Sequence, residues 1–260
     1  MKIFLSALNK TATDYMISQG MRFKWNLLSY YQIRKDRKLA DIVKAYSDEI
    51  LIDSGAHSFQ KGKHVDWVQY TKEYIEFIKA YDSPKVIGYF EMDADNIIGY
   101  DKVLQLRKML EAECDKIIPV WHISRGIEEY KKMCRDYAGK IVAITGFKNA
   151  EIKDEQYIMF LKYAWKYGCK VHCLGMTRKK VLDKVPFDYT DSSSWLQEVV
   201  YGMVYNPATK KKERCTRDSS RLYREQCYLL NYKCGMDMQE RYYQKWKNTH
   251  NEFNKKHNIK

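Results

Sequence analysis

The chain has 260 residues, 45% of them hydrophobic and 30% charged, which is the composition of a soluble globular domain with a full core. This composition excludes a membrane protein, because no apolar run reaches the roughly 18 residues of a spanning helix. The seven cysteines are odd in number and scattered, which argues against a disulfide scaffold. The apolar part of the N-terminal stretch is too short for a secretory signal, so we expect a cytoplasmic protein without a membrane partner.

The net charge of +13 predicts a polyanionic partner. Much of this charge lies in the last 55 residues, where 14 Lys and Arg stand against 6 Asp and Glu. The alternative is a lysine-rich, solvated surface that binds nothing. The concentration of charge favours a phosphate-binding surface, and we predict nucleic-acid backbone contacts from its densest run, which is Lys210, Lys211, Lys212 and Arg214.

Short apolar runs alternate with helical patterns through the first three quarters of the chain. Between the runs, apolar residues recur at intervals of three and four, as in residues 65–81, where they fall on one face of a helix. Eight runs predict strands, at residues 2–8, 23–28, 50–53, 86–91, 117–122, 141–145, 170–174 and 187–190.

Eight strands that alternate with helices predict a parallel sheet, either closed as a barrel or open and doubly wound. No Gly-x-Gly-x-x-Gly follows the first strand, which removes the main sign of a dinucleotide-binding sheet. We therefore predict an α/β protein with a single (β/α)8 TIM-type barrel over residues 1–195. Residues 196–260 are predicted to form a basic, mainly helical extension packed on the barrel, with its long helix interrupted near Gly235.

Polar side chains cluster where the predicted strands end. In such a barrel the C-terminal strand ends build the active site, so these side chains are expected to converge. Like charges that meet raise one another's pKa and can supply an acid and a nucleophile together. The alternative is that the acids only cap the following helices. The strand ends that carry an acid or a histidine are IDSGAH (52–57), YFEMDAD (89–95), PVWH (119–122), HCLGM (172–176) and FDYTDSSSW (187–195). Of these, His172 lies between Cys169 and Cys173 on an apparent core strand, so we interpret it as a core residue.

The segment ILIDSGAHSF (50–59) resembles the Asp-Ser-Gly-Gly-Phe strand of the tRNA-guanine transglycosylases. Further segments fall in that family's order, namely GYFEMD, PVWH, ITGF, CLGM and FDYTDS. The resemblance covers residues 1–195 and is closest in character to the DNA-acting relatives of phages and bacteria, which insert 7-deazaguanine bases. It implies a base exchange through a covalent sugar–enzyme intermediate, on a nucleotide flipped out of any duplex.

The resemblance also implies roles for particular residues. Asp191 would be the nucleophile that attacks the anomeric carbon, and Asp53 would be the general acid/base for the departing and entering base. Substrate-binding roles follow for the residues that align with the family's base pocket. They are Ser54 beside Asp53, Glu91 at the Watson–Crick edge of the base with Asp93 as second candidate, His122 in place of a usual glutamine, and Gly146, Leu174 and Gly175.

The sequence departs from the family in ways that leave the base unidentified. This chain has Gly-Ala-His where the family has Gly-Gly-Phe, and Thr-Gly where the family has Gly-Gly. The tRNA enzymes of the family carry a zinc site, whereas here Cys215, Cys227, Cys234 and His250 keep the ligand order but not the spacing. We therefore expect no metal and no other cofactor. A zinc ion bound by these four residues is the alternative that the sequence leaves open.

The predicted function is a transglycosylase that cleaves an N-glycosidic bond in a nucleic acid. DNA is favoured over tRNA because the zinc module is not recognisable, and the second substrate would be a free modified or deazaguanine-type base. One alternative is a DNA glycosylase on the same scaffold, in which water resolves the intermediate and leaves an abasic site, for instance in invading DNA. A second alternative is a barrel that binds nucleic acid without turnover.

Overall fold

The computed structural model describes residues 1–59, 65–146, 152–214 and 221–257 of the chain. Nine parallel strands form one sheet in the order β5-β4-β3-β2-β1-β9-β8-β7-β6, and β10 and β11 form a separate hairpin. The strands are β1 (Lys2–Ser6), β2 (Phe23–Ser29), β3 (Ser47–Asp53), β4 (Val86–Phe90), β5 (Ile117–Ile118), β6 (Val120–Trp121), β7 (Ile141–Thr145), β8 (Lys170–Leu174), β9 (Tyr189–Ser192), β10 (Met203–Asn206) and β11 (Lys211–Arg214).

The two ends of the sheet, β5 and β6, are halves of one strand divided at Pro119. β4 pairs with β5, whereas β7 pairs with β6, and the Pro119 carbonyl accepts from the Ala143 amide at 2.9 Å. The Val120 amide, which follows the proline, donates to the Glu91 carboxylate at 2.6 Å. The sheet is therefore a barrel of eight strand positions, as the sequence predicted.

Helices follow the strands and cover the outside of the barrel. They are α1 (Lys10–Ser18), α2 (Tyr30–Ile33), α3 (Arg37–Tyr46), α4 (Trp67–Tyr81), α5 (Asp95–Ile98), α6 (Tyr100–Glu111), α7 (Gly126–Asp136), α8 (Tyr157–Trp165), α9 (Lys179–Leu182), α10 (Ser194–Val200), α11 (Arg221–Trp246) and α12 (Thr249–Lys256). Three of them, α1, α3 and α4, begin at Asn9, Asp36 and Asp66, whose side chains accept from a backbone amide of the first turn. The α/β fold class is confirmed.

Alternation along the strands separates two cores. One set of side chains fills the barrel interior, and the opposite set packs against the helices. On β9, for example, Tyr189 lies in the interior cluster, whereas Thr190 donates to the Cys173 carbonyl behind the sheet. The interior cluster consists of Phe4, Trp25, Leu27, Leu51, Phe90, Ile118, Val120, Ala143 and Tyr189.

The C-terminal region differs from the prediction of an interrupted helix, because α11 runs without a break through Gly235. A Cβ at this glycine would lie only 2.9 Å from Leu5 Cδ1, so Gly235 is where α11 approaches β1 most closely. The Gln239 side chain donates to the carbonyls of Ile3 and Trp25 at 2.7 and 2.9 Å. α11 is therefore the helix that covers β1.

The extension has no apolar core apart from the barrel among the described residues. Tyr232 of α11 is buried in the cluster around β2 and α4, and its hydroxyl donates to Asn26 at 2.6 Å. Tyr242, further along the same helix, is buried in the other outer cluster. In residues 1–59, 65–146, 152–214 and 221–257, no helix combines the length and the apolar character needed to cross a membrane.

Candidate active site

Four of the predicted site residues meet at the C-terminal end of the barrel. Asp53 ends β3, Asp191 lies on β9, His122 follows β6, and Asp93 follows β4. Asp53 and Asp191 point into the barrel because Leu51 and Tyr189, two residues earlier on the same strands, belong to the interior cluster. The charges of Asp93 and Asp191 both act on Asp53, so the carboxyl groups form one cluster.

The Asp191 carboxylate is held through a single oxygen. Oδ1 accepts from the amide of Gly175 at 2.9 Å and lies 3.0 Å from Nε2 of His172. Gly175 has a φ of +62°, a conformation that glycine adopts without strain and that aims its amide at the carboxylate. No described residue bonds to Oδ2, which leaves that oxygen available to a ligand at the mouth.

His172 is a site residue that the sequence analysis missed. Its side chain is fully buried in the barrel, with ring centroids 5.0 Å from Phe90 and 6.5 Å from Phe4. Nδ1 is buried, and none of the described residues bonds to it. Because a carboxylate oxygen only accepts, the ring donates to Asp191 from Nε2. The signal was its alternation with Cys173, which packs outside the barrel.

Asp53 has the properties of a carboxyl group that exchanges protons near neutrality. Burial in the barrel mouth, followed by the negative charge of Asp93, raises the pKa of Asp53 to about 7, and Asp191 contributes to the same increase. Hydrogen bonds from the Gly55 amide, at 3.0 Å, and from the Ser29 hydroxyl oppose this increase only in part. A carboxyl group of this pKa is half protonated at pH 7. It can therefore both donate and accept a proton, which suits general acid/base catalysis.

Gly55 makes the turn that holds Asp53. Its φ is +72°, and a Cβ at this position would lie 2.7 Å from Ser29 Oγ and 2.8 Å from the Tyr31 amide nitrogen. Both the backbone conformation and the close approach require glycine. The predicted substrate-binding residue Ser54 is fully buried behind this turn, and the Tyr70 hydroxyl donates to its carbonyl at 2.7 Å.

A second polar group lies beside Asp53 on the rim. His122 Nε2 is 2.7 Å from Asp93 Oδ1, and Arg125 holds both oxygens of Asp95 at 2.7 Å. Asp93, Asp95 and His122 are also the group of described side chains whose ligand atoms lie within 4.8 Å of one another. Arg125 binds both Asp95 oxygens, so one of the three candidate ligands is already engaged by a protein side chain.

Glu91 corrects the sequence analysis, which placed it at the base edge on the same face as Asp93. Phe90 lies in the barrel interior, so the alternation turns Glu91 outward, toward α6. Its carboxylate is fully buried and bound by Arg107 at 2.5 and 3.1 Å, by Arg125 at 3.3 Å and by the Val120 amide. These donors occupy the carboxylate, and it faces away from the mouth.

The remaining predicted pocket residues surround the end of β8. The Gly146 amide donates to the Leu174 carbonyl at 2.9 Å, and a Cβ at Gly146 would lie 2.9 Å from Cys173 Sγ. Leu174 packs against the interior cluster, and the Gly175 amide binds Asp191. These residues therefore shape the wall next to Asp191.

The predicted backbone contacts and zinc ligands lie elsewhere. Lys210–Lys212 and Arg214 are exposed on the β10–β11 hairpin, where Lys212 is 2.5 Å from Glu198. His250 of α12 bonds to Asp188 at 2.7 Å and stacks on Trp165, whereas Cys227 and Cys234 lie on α11. These three do not meet as a ligand group within the described residues, and Cys215 lies outside those residues.

Comparisons with known proteins assign neither a family nor a function to the chain. No protein-family model matches the chain, and no curated protein matches it. Among solved structures, orotidine 5′-phosphate decarboxylase from Thermotoga maritima is similar over 74% of this chain and 88% of that chain, with 13% identity and a TM-score of 0.44. A likeness this distant supports no conclusion about the fold or the site of this chain.

Proposed function

We propose that the protein cleaves the N-glycosidic bond of a nucleotide in a nucleic acid and exchanges the base, with Asp191 as nucleophile and Asp53 as general acid/base. The observation behind the proposal is the pairing of two unlike carboxyl groups at one mouth. Asp191 offers an available Oδ2, and Asp53 has a pKa raised to about 7 by burial and by Asp93. The resemblance of residues 50–59 to the transglycosylase strand supports the same assignment.

The first step breaks the bond between the sugar C1′ and the base nitrogen. Oδ2 of Asp191 forms a bond to C1′ while the electron pair of the breaking bond leaves with the base. Protonated Asp53 transfers its proton to the departing base and becomes a carboxylate. In the second step an incoming base attacks C1′, its N–H proton passes to Asp53, and Asp191 leaves as a carboxylate.

The rim side chains are candidates for recognising the base. Asp93 and His122 lie beside Asp53 and offer a carboxylate and an imidazole for the polar edge of a flipped base. Glu91 has no such part, because two arginines occupy it. In this assignment the base is read on the β4 and β6 side of the mouth, and the sugar is attacked from the β9 side.

A glycosylase is the second candidate because the same pair of groups also serves hydrolysis. After the first step, ionised Asp53 with a pKa near 7 is able to take a proton from water, which then resolves the intermediate. The products separate the two candidates, since exchange leaves a new base in the strand and hydrolysis leaves an abasic site. A barrel that only binds nucleic acid would do neither.

The test incubates the protein with defined single-stranded DNA, duplex DNA and tRNA, with and without free deazaguanine-type bases. Covalent adducts are detected on denaturing gels, abasic sites by alkaline cleavage, and exchanged bases by mass spectrometry. We expect an adduct that accumulates without free base and is consumed when a base is added. Asp191→Asn should abolish adduct formation, because the amide is a poor nucleophile of the same shape.

Asp53→Asn should lower the rate of the first step by roughly 10²–10⁴-fold, which is the usual worth of general acid catalysis. Asp115→Asn is the matched control, because Asp115 is exposed at the opposite end of the barrel. Catalytic formation of abasic sites without free base would replace exchange by hydrolysis. Full activity in Asp191→Asn would overturn both candidates.

A further inference from the structure

A basic groove lies on the outer rim of the barrel, between α2, the start of α3 and the first turns of α4. Its volume is about 700 Å³. Four of its lining side chains are cationic, namely Arg34, Lys35, Arg37 and Lys72. Two others, Tyr30 and Gln69, are neutral. None of the residues of the candidate active site lines it, so the groove is a separate feature of the same face.

The groove adjoins the mouth through a short chain of contacts. Asp53 is held by the Gly55 turn, and Gly55 packs directly against Tyr31, the residue after the start of α2. The Arg34 guanidinium lies over the Tyr31 ring at 5.1 Å and over the Tyr70 ring at 5.2 Å. One layer of aromatic rings therefore separates the general acid from the first cation of the groove.

Arg34 is fixed in place and retains an unused donor. Besides Tyr31 and Tyr70, its guanidinium lies 5.9 Å from the Phe59 ring centroid. Its Nε is buried and has no hydrogen-bond partner among the described residues. A guanidinium packed among rings loses little conformational entropy when it binds an anion, and its free N–H groups are matched to phosphate oxygens.

The other three cations are not neutralised within the described part of the chain. Lys35, Arg37 and Lys72 are exposed, and no ion pair joins any of them to a carboxylate of the described residues. The Arg37 guanidinium also lies over an aromatic ring, 4.6 Å from the Phe77 ring centroid.

Two acids, Glu73 and Glu76, also line the groove but are engaged by neighbours. Glu73 accepts from Gln69 at 3.2 Å, and Glu76 is 3.6 Å from Lys79. With four cations against these two acids, the lining of the groove has an excess of positive charge.

We propose that this groove binds the phosphodiester backbone of the strand whose nucleotide enters the barrel mouth. The proposal rests on the proposed function, because a nucleotide at Asp53 and Asp191 brings its flanking phosphates to the rim through covalent bonds. Four cations beside the mouth supply the counter-charge at the place where those phosphates must lie. The exposed hairpin around Lys210 then contributes at most an outer contact.

The test compares three variants by titration of a fluorescent oligonucleotide over a range of salt concentrations. The groove variant carries Lys35→Glu, Arg37→Glu and Lys72→Gln. Lys72 is neutralised rather than reversed because Glu76 lies four residues further along α4, and like charges at that spacing weaken a helix. The control variant carries Lys108→Glu, Lys166→Glu and Lys170→Gln, three exposed side chains at the opposite end of the barrel, with the same change in net charge. The hairpin variant carries Lys210→Glu and Lys211→Glu.

The groove variant should bind roughly tenfold or more weakly, and its salt dependence should be smaller by about one unit of slope for each phosphate group that it no longer binds. The control should match the unmodified protein. Equal binding by the groove and control variants overturns this inference and leaves the proposed function standing. Weaker binding confined to the hairpin variant overturns it in favour of that hairpin. An unmodified protein that binds no polynucleotide, and instead an acidic polypeptide, overturns the nucleic-acid function as well.

Discussion

His172 and Asp191 lie on adjacent strands, β8 and β9, and their side chains meet inside the barrel with Nε2 of the imidazole 3.0 Å from Oδ1 of the carboxylate. The ring is enclosed by Phe4 and Phe90, and the polar neighbour at that nitrogen is Asp191. A hydrogen bond from this buried ring fixes the orientation of the carboxylate. In the proposed function, His172 is therefore a positioning residue for the nucleophile.

Replacing His172 should lower turnover more than substrate binding. His172→Phe keeps a ring between Phe4 and Phe90 but removes the donor, and a hydrogen bond to a charged group is worth about 1.5–3 kcal/mol. We expect kcat to decrease by roughly 10–100-fold with KM almost unchanged, measured with the substrate that forms the adduct. His172→Gln places an amide donor near the Nε2 position and should restore part of the rate. An equal decrease in both variants would assign His172 to packing alone.

The free energy of unfolding should change with pH because of the titration of Asp53. Its pKa in the folded protein is raised to about 7 by burial and by Asp93, from an ordinary value of 3.8. The folded state therefore favours the protonated carboxyl, and this stability is lost as the pH rises through about 7. At about 1.4 kcal/mol per unit of pKa difference, this loss in the free energy of unfolding is at most roughly 4 kcal/mol.

Asp53→Asn removes this titration, so the variant should gain stability relative to the unmodified protein between about pH 4 and 7. Urea unfolding at several pH values measures the difference. The same proton loss should slow the first chemical step above about pH 7, and single-turnover adduct formation follows it. Parallel stability curves for the two proteins across this range would refute the raised pKa.

Glu91 should matter for folding and not for the choice of base. Glu91→Gln leaves the buried guanidinium of Arg107 without the charge that compensates it, whereas Arg125 keeps its pairing with Asp95. Removal of one partner from a buried ion pair costs about 3–5 kcal/mol. Thermal unfolding should show this destabilisation, whereas Asp93→Asn on the rim should change stability little and activity strongly. A Glu91→Gln protein of normal stability with altered base preference would return Glu91 to the site.

Gly55 and Gly139 form a matched pair of glycines with positive φ. A Cβ at Gly55 would approach the Tyr31 backbone and Ser29, whereas a Cβ at Gly139 would meet nothing within 4 Å. Gly139→Ala should cost about 1 kcal/mol, from the left-handed backbone alone. Gly55→Ala should cost clearly more and should also displace Asp53, with a decrease in activity. The free energies of unfolding of the two variants are measured with denaturant, and their difference gives the steric contribution at Gly55.

The barrel could be predicted from the sequence because strand and helix patterns alternate eight times, with each run bounded by polar residues. The convergence of Asp53, Asp93, His122 and Asp191 followed from the topology, since parallel strands place their ends on one face. Glu91 was misplaced because its role came from the resemblance alone, whereas alternation from the interior residue Phe90 turns it outward. The pairing of Glu91 with Arg107 and Arg125 leaves no signal in the sequence around Glu91. The close packing of α11 on β1, which explains a glycine at position 235 inside a helix, leaves no local signal either.

The cover of β1 by α11 has a consequence for the order in which the barrel assembles. Gln239 bonds to Ile3 across 236 positions of the chain, and Trp195 bonds to Ser6 across 189. Contacts of such separation cost loop entropy before they add stability, and they slow folding. A nascent chain that has not yet reached residues 221–246 therefore exposes the outer face of its first strand around Leu5. During translation this strand is the surface on which chaperones, or a second unfinished chain, would first act.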